Sequence, residues 1–265
     1  MYPILFRFGS LTIYAYGFFL ALAIFTGGIL AFRKARKEGL PIPLEQIADL
    51  FFSIVLSAIV GSRLLFVLIH FKLFRENPLS IFKIWEGGLV FYGGLLLATG
   101  VSIGYMKWQR MPIWKISDLV SPFLALGLFF GRVGCFLAGC CYGKEISLPW
   151  GVVFTDPNSV ARLNVSLHPT QLYDAANGLA LFFFLNWMEK RKAFDGQIFW
   201  LFLFLYSITR FFIEMLRGDP RGFILPDLLS TSQGIGIFLA IVSLFMLFYL
   251  KKEQRRMEDG SVGNP

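Results

Sequence analysis

Apolar residues gather in seven long runs, near 12–32, 48–70, 89–107, 119–141, 170–188, 198–217 and 232–250. Polar and charged residues collect between them. A helix needs about 20 mostly apolar residues to cross a bilayer, and each run comes close to that length. The first run starts at Leu11 and stops at Arg33, and Pro169 occupies a good first helical position for the fifth. The pattern predicts an all-α integral membrane protein of about seven transmembrane helices. It predicts one polytopic domain over 1–256, with an external loop near 142–168 and a short disordered cytoplasmic tail over 257–265.

The charges between the runs orient them. Arg33, Lys34, Arg36 and Lys37 follow the first run, and Lys107, Arg110 and Lys115 follow the third. Lys190, Arg191 and Lys192 follow the fifth, and Lys251, Lys252, Arg255 and Arg256 the seventh. These loops alternate onto one side, which the positive-inside rule makes cytoplasmic. The opposite loops carry fewer bases: Arg7, Lys72, Arg75, Lys83, Lys144, Arg162 and Arg221. The N-terminus is thus expected outside and the C-terminus in the cytoplasm.

Composition agrees. Of 265 residues, 56% are hydrophobic and 16% charged, with 31 phenylalanines. Lys and Arg number 25 against 17 acids. The loop bias explains that excess without nucleic acid. No signal peptide is evident, so the first run is expected to act as an uncleaved insertion signal. Cys135, Cys140 and Cys141 give no paired disulfide framework. They could bind a metal, pair or act as nucleophiles. Soft-metal sites usually show a second cysteine cluster, which this chain lacks. A Cys140–Cys141 bridge would strain an adjacent ring. Small apolar packing residues is the expectation, with no metal and no cofactor.

Chemistry enters where charge sits inside an apolar run. Residues 131–143 read Gly-Arg-Val-Gly-Cys-Phe-Leu-Ala-Gly-Cys-Cys-Tyr-Gly, so Arg132 lies among glycines that allow close approach. Arginine in hydrocarbon is costly unless it meets an anion or a cavity. Two readings stand: Arg132 receives a lipid phosphate, or it snorkels beside a glycine-lined helix contact. In the expected orientation Arg63, Arg132 and Arg210 sit roughly 7–10 residues before an outer helix end, about 10–15 Å deep. Glu214, four residues after Arg210, shares its helical face, and Arg217 extends that stripe. The remaining positive charge points to an anionic headgroup. For Arg63 the alternative is bonding to backbone carbonyls, and for Arg210–Glu214 a structural pair. Tyr16 and Tyr92 lie at matching depth, where interfacial tyrosines are also common. His168 either caps the fifth helix or accepts a proton near neutral pH.

Taken in order, these residues resemble the bacterial prolipoprotein diacylglyceryl transferases. That family's signature, G-R-x-G-N-F-x-N-G-E-x-x-G, is matched at Gly131, Arg132, Gly134, Phe136, Gly139 and Gly143. Tyr16-Gly17, Gly61-Ser62-Arg63, Trp85-Glu86-Gly87-Gly88, Ser117-Asp118, the stretch from His168 to Tyr173 and that from Arg210 to Glu214 extend the resemblance over nearly the whole chain. The chain departs from the pattern at Cys135, Ala138 and Cys140, where the family usually has Asn, Asn and Glu. Tyr92-Gly93-Gly94 stands where it usually has His-Gly-Gly.

The resemblance implies a bacterial inner-membrane enzyme. It would move the diacylglyceryl group of phosphatidylglycerol to the lipobox cysteine thiol of a preprolipoprotein. A thioether forms and glycerol phosphate leaves. It implies catalytic roles for Arg132, Arg210, Tyr92 and Tyr16. Lipid or peptide contacts are implied for Arg132, Arg63, Gly93, Gly94, Gly143, His168 and Glu214. Partners would be phosphatidylglycerol, the lipobox peptide and membrane lipids. The alternative is a non-catalytic transporter of anionic lipid or solute, suited by glycine-broken helices.

Overall fold

The computed structural model describes residues 1–9, 11–39, 42–219, 222–225 and 229–262. Eight α-helices lie among them, and each of the seven expected runs forms a helix over most of its length. They are α1 (Ala15–Lys37), α2 (Leu44–Ile69), the short α3 (Phe71–Glu76), α4 (Phe91–Trp108), α5 (Ile113–Ala138), α6 (Thr170–Glu189), α7 (Gln197–Met215) and α8 (Thr231–Val262). Five of these, α1, α2, α5, α7 and α8, are long and apolar enough to cross a membrane. α8 continues through Val262, past the point where a disordered tail was expected. Arg221, one of the expected outer bases, and residues 263–265 lie outside the described residues.

Three small antiparallel strand pairs interrupt the all-α expectation. β1 (Ile4–Phe8) pairs β2 (Leu11–Tyr14) ahead of α1. β3 (Val152–Val153) pairs β4 (Ser166–Leu167), and β5 (Phe223–Leu225) pairs β6 (Leu229–Ser230). All three lie outside the helices, where local backbone pairing satisfies polar groups that a helix would satisfy internally.

The chain folds as two compact units, Met1–Ala31 with Ser117–Pro265, and Phe32–Ile116. In the second unit α2 packs on α4 through glycine. A Cβ on Gly93 would collide with the Gly61 carbonyl, and one on Gly94 would stand 2.7 Å from the Ala58 carbonyl. Small residues let two backbones approach where hydrophobic burial drives nothing. Gly93→Leu is therefore expected to destabilise this pair by about 1–3 kcal/mol, seen as a lower Tm in detergent. An unchanged Tm would show that the pair can part without cost. Past the end of α4 the chain turns at Arg110, left-handed at φ 53, with the Met111 N–H bonded back to Met106 at 2.8 Å. The two methionines then join Leu50 and Ile116 in a small core.

In the first unit α5, α6 and α7 share a core of Ala125, Leu181, Leu185, Ile198 and Phe202. Gly178 sets the α5–α6 contact: a Cβ there would lie 2.9 Å from the Ala125 carbonyl and 3.0 Å from the Phe129 nitrogen. α7 is started from a distance. The buried Asp118 carboxylate accepts the Gly196 and Phe199 N–H groups at 2.8 and 2.9 Å, the favourable charge for a helix N-terminus. Lys192 adds an ion pair to Asp118 at 3.3 Å. Burial pulls the Lys192 ammonium down, but Asp195 and Asp118 outweigh it and hold it above its ordinary value.

The loop over 142–168 is folded on its own small core of Tyr142, Phe154, Ala161 and Leu167. Arg162 pairs with Glu145 at 2.5 Å on its surface. The Asn158 N–H donates to Asp156 at 2.8 Å, closing a local turn and holding that carboxyl below its usual range.

Candidate functional site

Arg63, Arg132 and Arg210 occupy similar places in their own helices, shortly before the ends of α2, α5 and α7. Their partners differ. Arg63 is buried, and each of its five N–H donors reaches a backbone carbonyl. Nε bonds Ile81 at 2.8 Å, Nη1 bonds Gly87 and Gly88 at 2.7 and 3.2 Å, and Nη2 bonds Ser80 and Lys83 at 2.6 and 3.3 Å. Phe66 and Phe74 stack against the guanidinium. Sequence reasoning left Arg63 between a lipid contact and bonding to backbone carbonyls. Here it clasps the segment between α3 and α4 and has no N–H left for a phosphate.

Gly93 and Gly94, also assigned to substrate, stand at the α2–α4 contact, where their lack of a side chain is already used. Tyr92, just ahead of them on α4, is 43% exposed. These four residues belong to the second unit. Arg132, Arg210, Glu214, Gly143, His168 and Tyr16 belong to the first.

Within the first unit a chain of charges crosses three helices. Arg132 Nε meets Asp174 Oδ2 at 3.3 Å, and Arg210 Nη1 meets the same oxygen at 3.2 Å. Arg210 Nη2 meets Glu214 at 2.6 Å, as the shared helical face predicted. Arg217 lies 3.7 Å from Glu214 and is held by Asp219 at 2.7 and 2.9 Å. Ser230 donates to Glu214 at 3.1 Å and is itself fixed by Gln233. Three arginines thus face three carboxylates, so much of the positive charge that sequence reasoning assigned to a headgroup is met by the protein.

Asp174 is the residue that sequence reasoning missed. Its signal was available, because an acid inside an apolar helix is expensive without a partner. Gly178, one turn later on α6, brings that helix against Leu128 and Phe129 of α5. In antiparallel packing this sets Asp174 beside Arg132. Asp174 makes its closest approach to Arg132 at Nε. Among the described residues, Nη1 and Nη2 of Arg132 have no hydrogen-bond partner, and its side chain is 18% exposed. The outer fork of that guanidinium is open to an anion.

Backbone geometry fixes the surroundings. α5 stops at Gly139, with φ +77, in a turn whose Cys140 N–H bonds the Cys135 carbonyl at 3.1 Å. At Gly143 three strands of backbone cross: its N–H bonds the His168 carbonyl at 2.9 Å, and a Cβ would stand 2.7 Å from that carbonyl and 2.8 Å from that of Leu216. Gly143 is therefore a crossing point for the chain, the role its lack of a side chain serves here. His168 is bonded by Nδ1 to the Tyr173 hydroxyl at 3.2 Å. Tyr16 is 44% exposed, and its Cα lies 3.2 Å from where a Cβ on Gly134 would be, placing α1 against the Arg132 stretch.

The fold and this site define a helical membrane protein with a buried arginine–carboxylate chain that keeps one guanidinium fork open. The family model for prolipoprotein diacylglyceryl transferase matches residues 3–249. The phosphatidylglycerol–prolipoprotein diacylglyceryl transferase of Clostridium tetani is 38% identical over 246 residues, covering 93% of this chain and 96% of that protein. The enzyme numbered 2 of that name from Clostridium perfringens is 35% identical over 95% of this chain and 96% of its own length. The Geobacter sulfurreducens enzyme is 34% identical over the same shares. The chain belongs to the prolipoprotein diacylglyceryl transferase family, a family of bacterial membrane transferases.

Proposed function

We propose that this chain transfers the diacylglyceryl group of phosphatidylglycerol to the lipobox cysteine thiol of a preprolipoprotein. The reaction forms a thioether and releases glycerol phosphate. The open fork of Arg132, backed by Asp174 and placed next to Arg210, is the observation that carries this reading. A thiolate attacks the glyceryl carbon, the carbon–oxygen bond breaks, and negative charge grows on the leaving phosphate. A fixed guanidinium stabilises that growing charge without reorganising. No protein nucleophile is needed, because the acceptor brings its own sulfur. Tyr16 holds headgroup or glyceryl oxygens. Glu214 and Asp174 hold the arginines in place. The thiol's proton has three possible acceptors: Tyr92, His168 and the departing phosphate.

The transporter alternative is not favoured, since the relatives carry transferase names. The test is an assay of the purified chain with phosphatidylglycerol and a synthetic lipobox peptide. A peptide mass gain of one diacylglyceryl group supports the reading. An unmodified peptide, with lipid moving between leaflets instead, refutes it.

The topology belongs to the same proposal: seven spans in the bacterial inner membrane, N-terminus outside and C-terminus cytoplasmic. α4 and α6 join the five longer apolar helices to make seven, and the loop charges support the orientation. Single cysteine reporters in loops 33–47 and 142–168 are expected to label from outside only in the second. The opposite result overturns the orientation.

Tyr92 is proposed to tune thiol deprotonation or orient the lipid, on the strength of its place in the family pattern. Tyr92→His is expected to stay active with a pH optimum shifted downward, because imidazole loses its proton near 6.5 and phenol near 10. Unaltered pH–rate profiles in both Tyr92→His and Tyr92→Phe would remove Tyr92 from proton transfer.

A further inference from the structure

The three cysteines were expected as small packing residues, and their sequence spacing argued against a metal. Their sulfurs converge. The Sγ atoms of Cys135, Cys140 and Cys141 all lie within 4.8 Å of one another. All three are free thiols. We propose that they form a three-sulfur site for a thiophilic divalent d10 cation of the zinc class. This inference does not depend on the transferase reading.

The local chain explains how the set forms. Gly139 takes the left-handed conformation that ends α5, and the resulting turn folds Cys140 back over Cys135, five residues earlier. Such a turn routinely brings these two positions together. Cys141 is itself left-handed, at φ 62, which turns the chain again. The next helix then pins this loop. Thr170 Oγ1 donates to the Cys141 carbonyl at 2.8 Å, and Gln171 Nε2 donates to the Cys140 carbonyl at 2.7 Å. Both side chains are fully buried, so the ligand backbone is held before any ion arrives.

Distances and charge suit the ion. With zinc–sulfur bonds of about 2.3 Å, tetrahedral geometry sets sulfurs about 3.8 Å apart. The observed limit of 4.8 Å needs only a modest contraction through side-chain rotation. Cys135 is buried, while Cys140 and Cys141 are partly exposed, which gives the ion an entry path and leaves a fourth position open. Three thiolates around a divalent ion leave a net negative charge. Arg132, three residues before Cys135 and so on the same side of α5, supplies positive charge beside the set.

The test uses the full chain in detergent, reduced and stripped of metal under anaerobic conditions. Titration with Cd²⁺ is expected to produce a sulfur-to-metal charge-transfer band that saturates at one equivalent. Zn²⁺ should displace it and slow maleimide modification of the thiols by about tenfold or more, with a chelator restoring the rate. Cys135→Ser and the double variant Cys140→Ala/Cys141→Ala should lose the band while retaining helical circular dichroism. The unsubstituted chain keeps the test decisive if either variant fails to fold. Absence of the band in folded protein, its persistence in the double variant, or thiol modification indifferent to Zn²⁺ would overturn the site. So would a disulfide among the three in the anaerobic preparation.

Discussion

Arg132→Lys is expected to lose most transferase activity despite keeping the positive charge. Asp174 holds Arg132 through Nε and leaves both terminal nitrogens to reach a substrate oxygen pair. A guanidinium offers those donors in one rigid plane, whereas lysine offers a point charge on a flexible stem. In this place a lysine ammonium would also be shared between Asp174 and the substrate phosphate. Removing a preorganised donor to a developing oxyanion costs about 3 kcal/mol, roughly a hundredfold in rate. Arg132→Ala and Arg210→Ala are expected to be close to inactive. The kcat should fall more than lipid binding weakens, because the charge they meet grows only as the phosphate leaves. Steady-state kinetics against phosphatidylglycerol, with equilibrium lipid binding in parallel, separates the two. A fully active Arg132→Ala in phosphatidylglycerol bilayers would return this residue to the snorkelling reading.

Asp174→Ala has the second large effect, and it acts first on stability. One buried carboxylate oxygen serves Arg132 on α5 and Arg210 on α7. Without it two guanidiniums face each other in a site shielded from water. Breaking a buried pair from one side costs about 3–5 kcal/mol, since the remaining charge loses its compensation. Arg210 keeps Glu214, so Arg132 suffers more. Thermal unfolding in detergent should show a large drop in Tm for Asp174→Ala. Asp174→Glu keeps the charge and should recover most of the stability while recovering activity less well, because the longer stem shifts the Arg132 fork. Equal Tm values for Asp174→Ala and the parent would mean that Asp174 does not hold the arginines.

The sequence by itself determined the helices, and the reason is local. Apolar runs of spanning length declare themselves without reference to the rest of the chain, and all seven emerged as helices. The Arg210–Glu214 pair was legible for the same reason, because positions four apart on one helix must meet. The family signature marked Arg132 and Gly143. It could not say that Gly143 serves a backbone crossing or that Arg132 leans on Asp174. Tertiary structure decided what depends on distant segments. Gly178 sets the α5–α6 approach and thereby chooses the carboxylate that Arg132 receives. The path between α3 and α4 takes up every donor of Arg63, although its helix position looked like that of Arg132. The short strand pairs escaped notice because pairing over two to five residues leaves little periodic trace. The cysteines lie between these extremes. The turn at Gly139 is a local property of its glycine, but only α6, pinning Cys140 and Cys141 from Gln171 and Thr170, held three sulfurs together. Identity and spacing are properties of the chain, whereas the partner that a buried charge or thiol meets is set by packing between segments far apart in sequence.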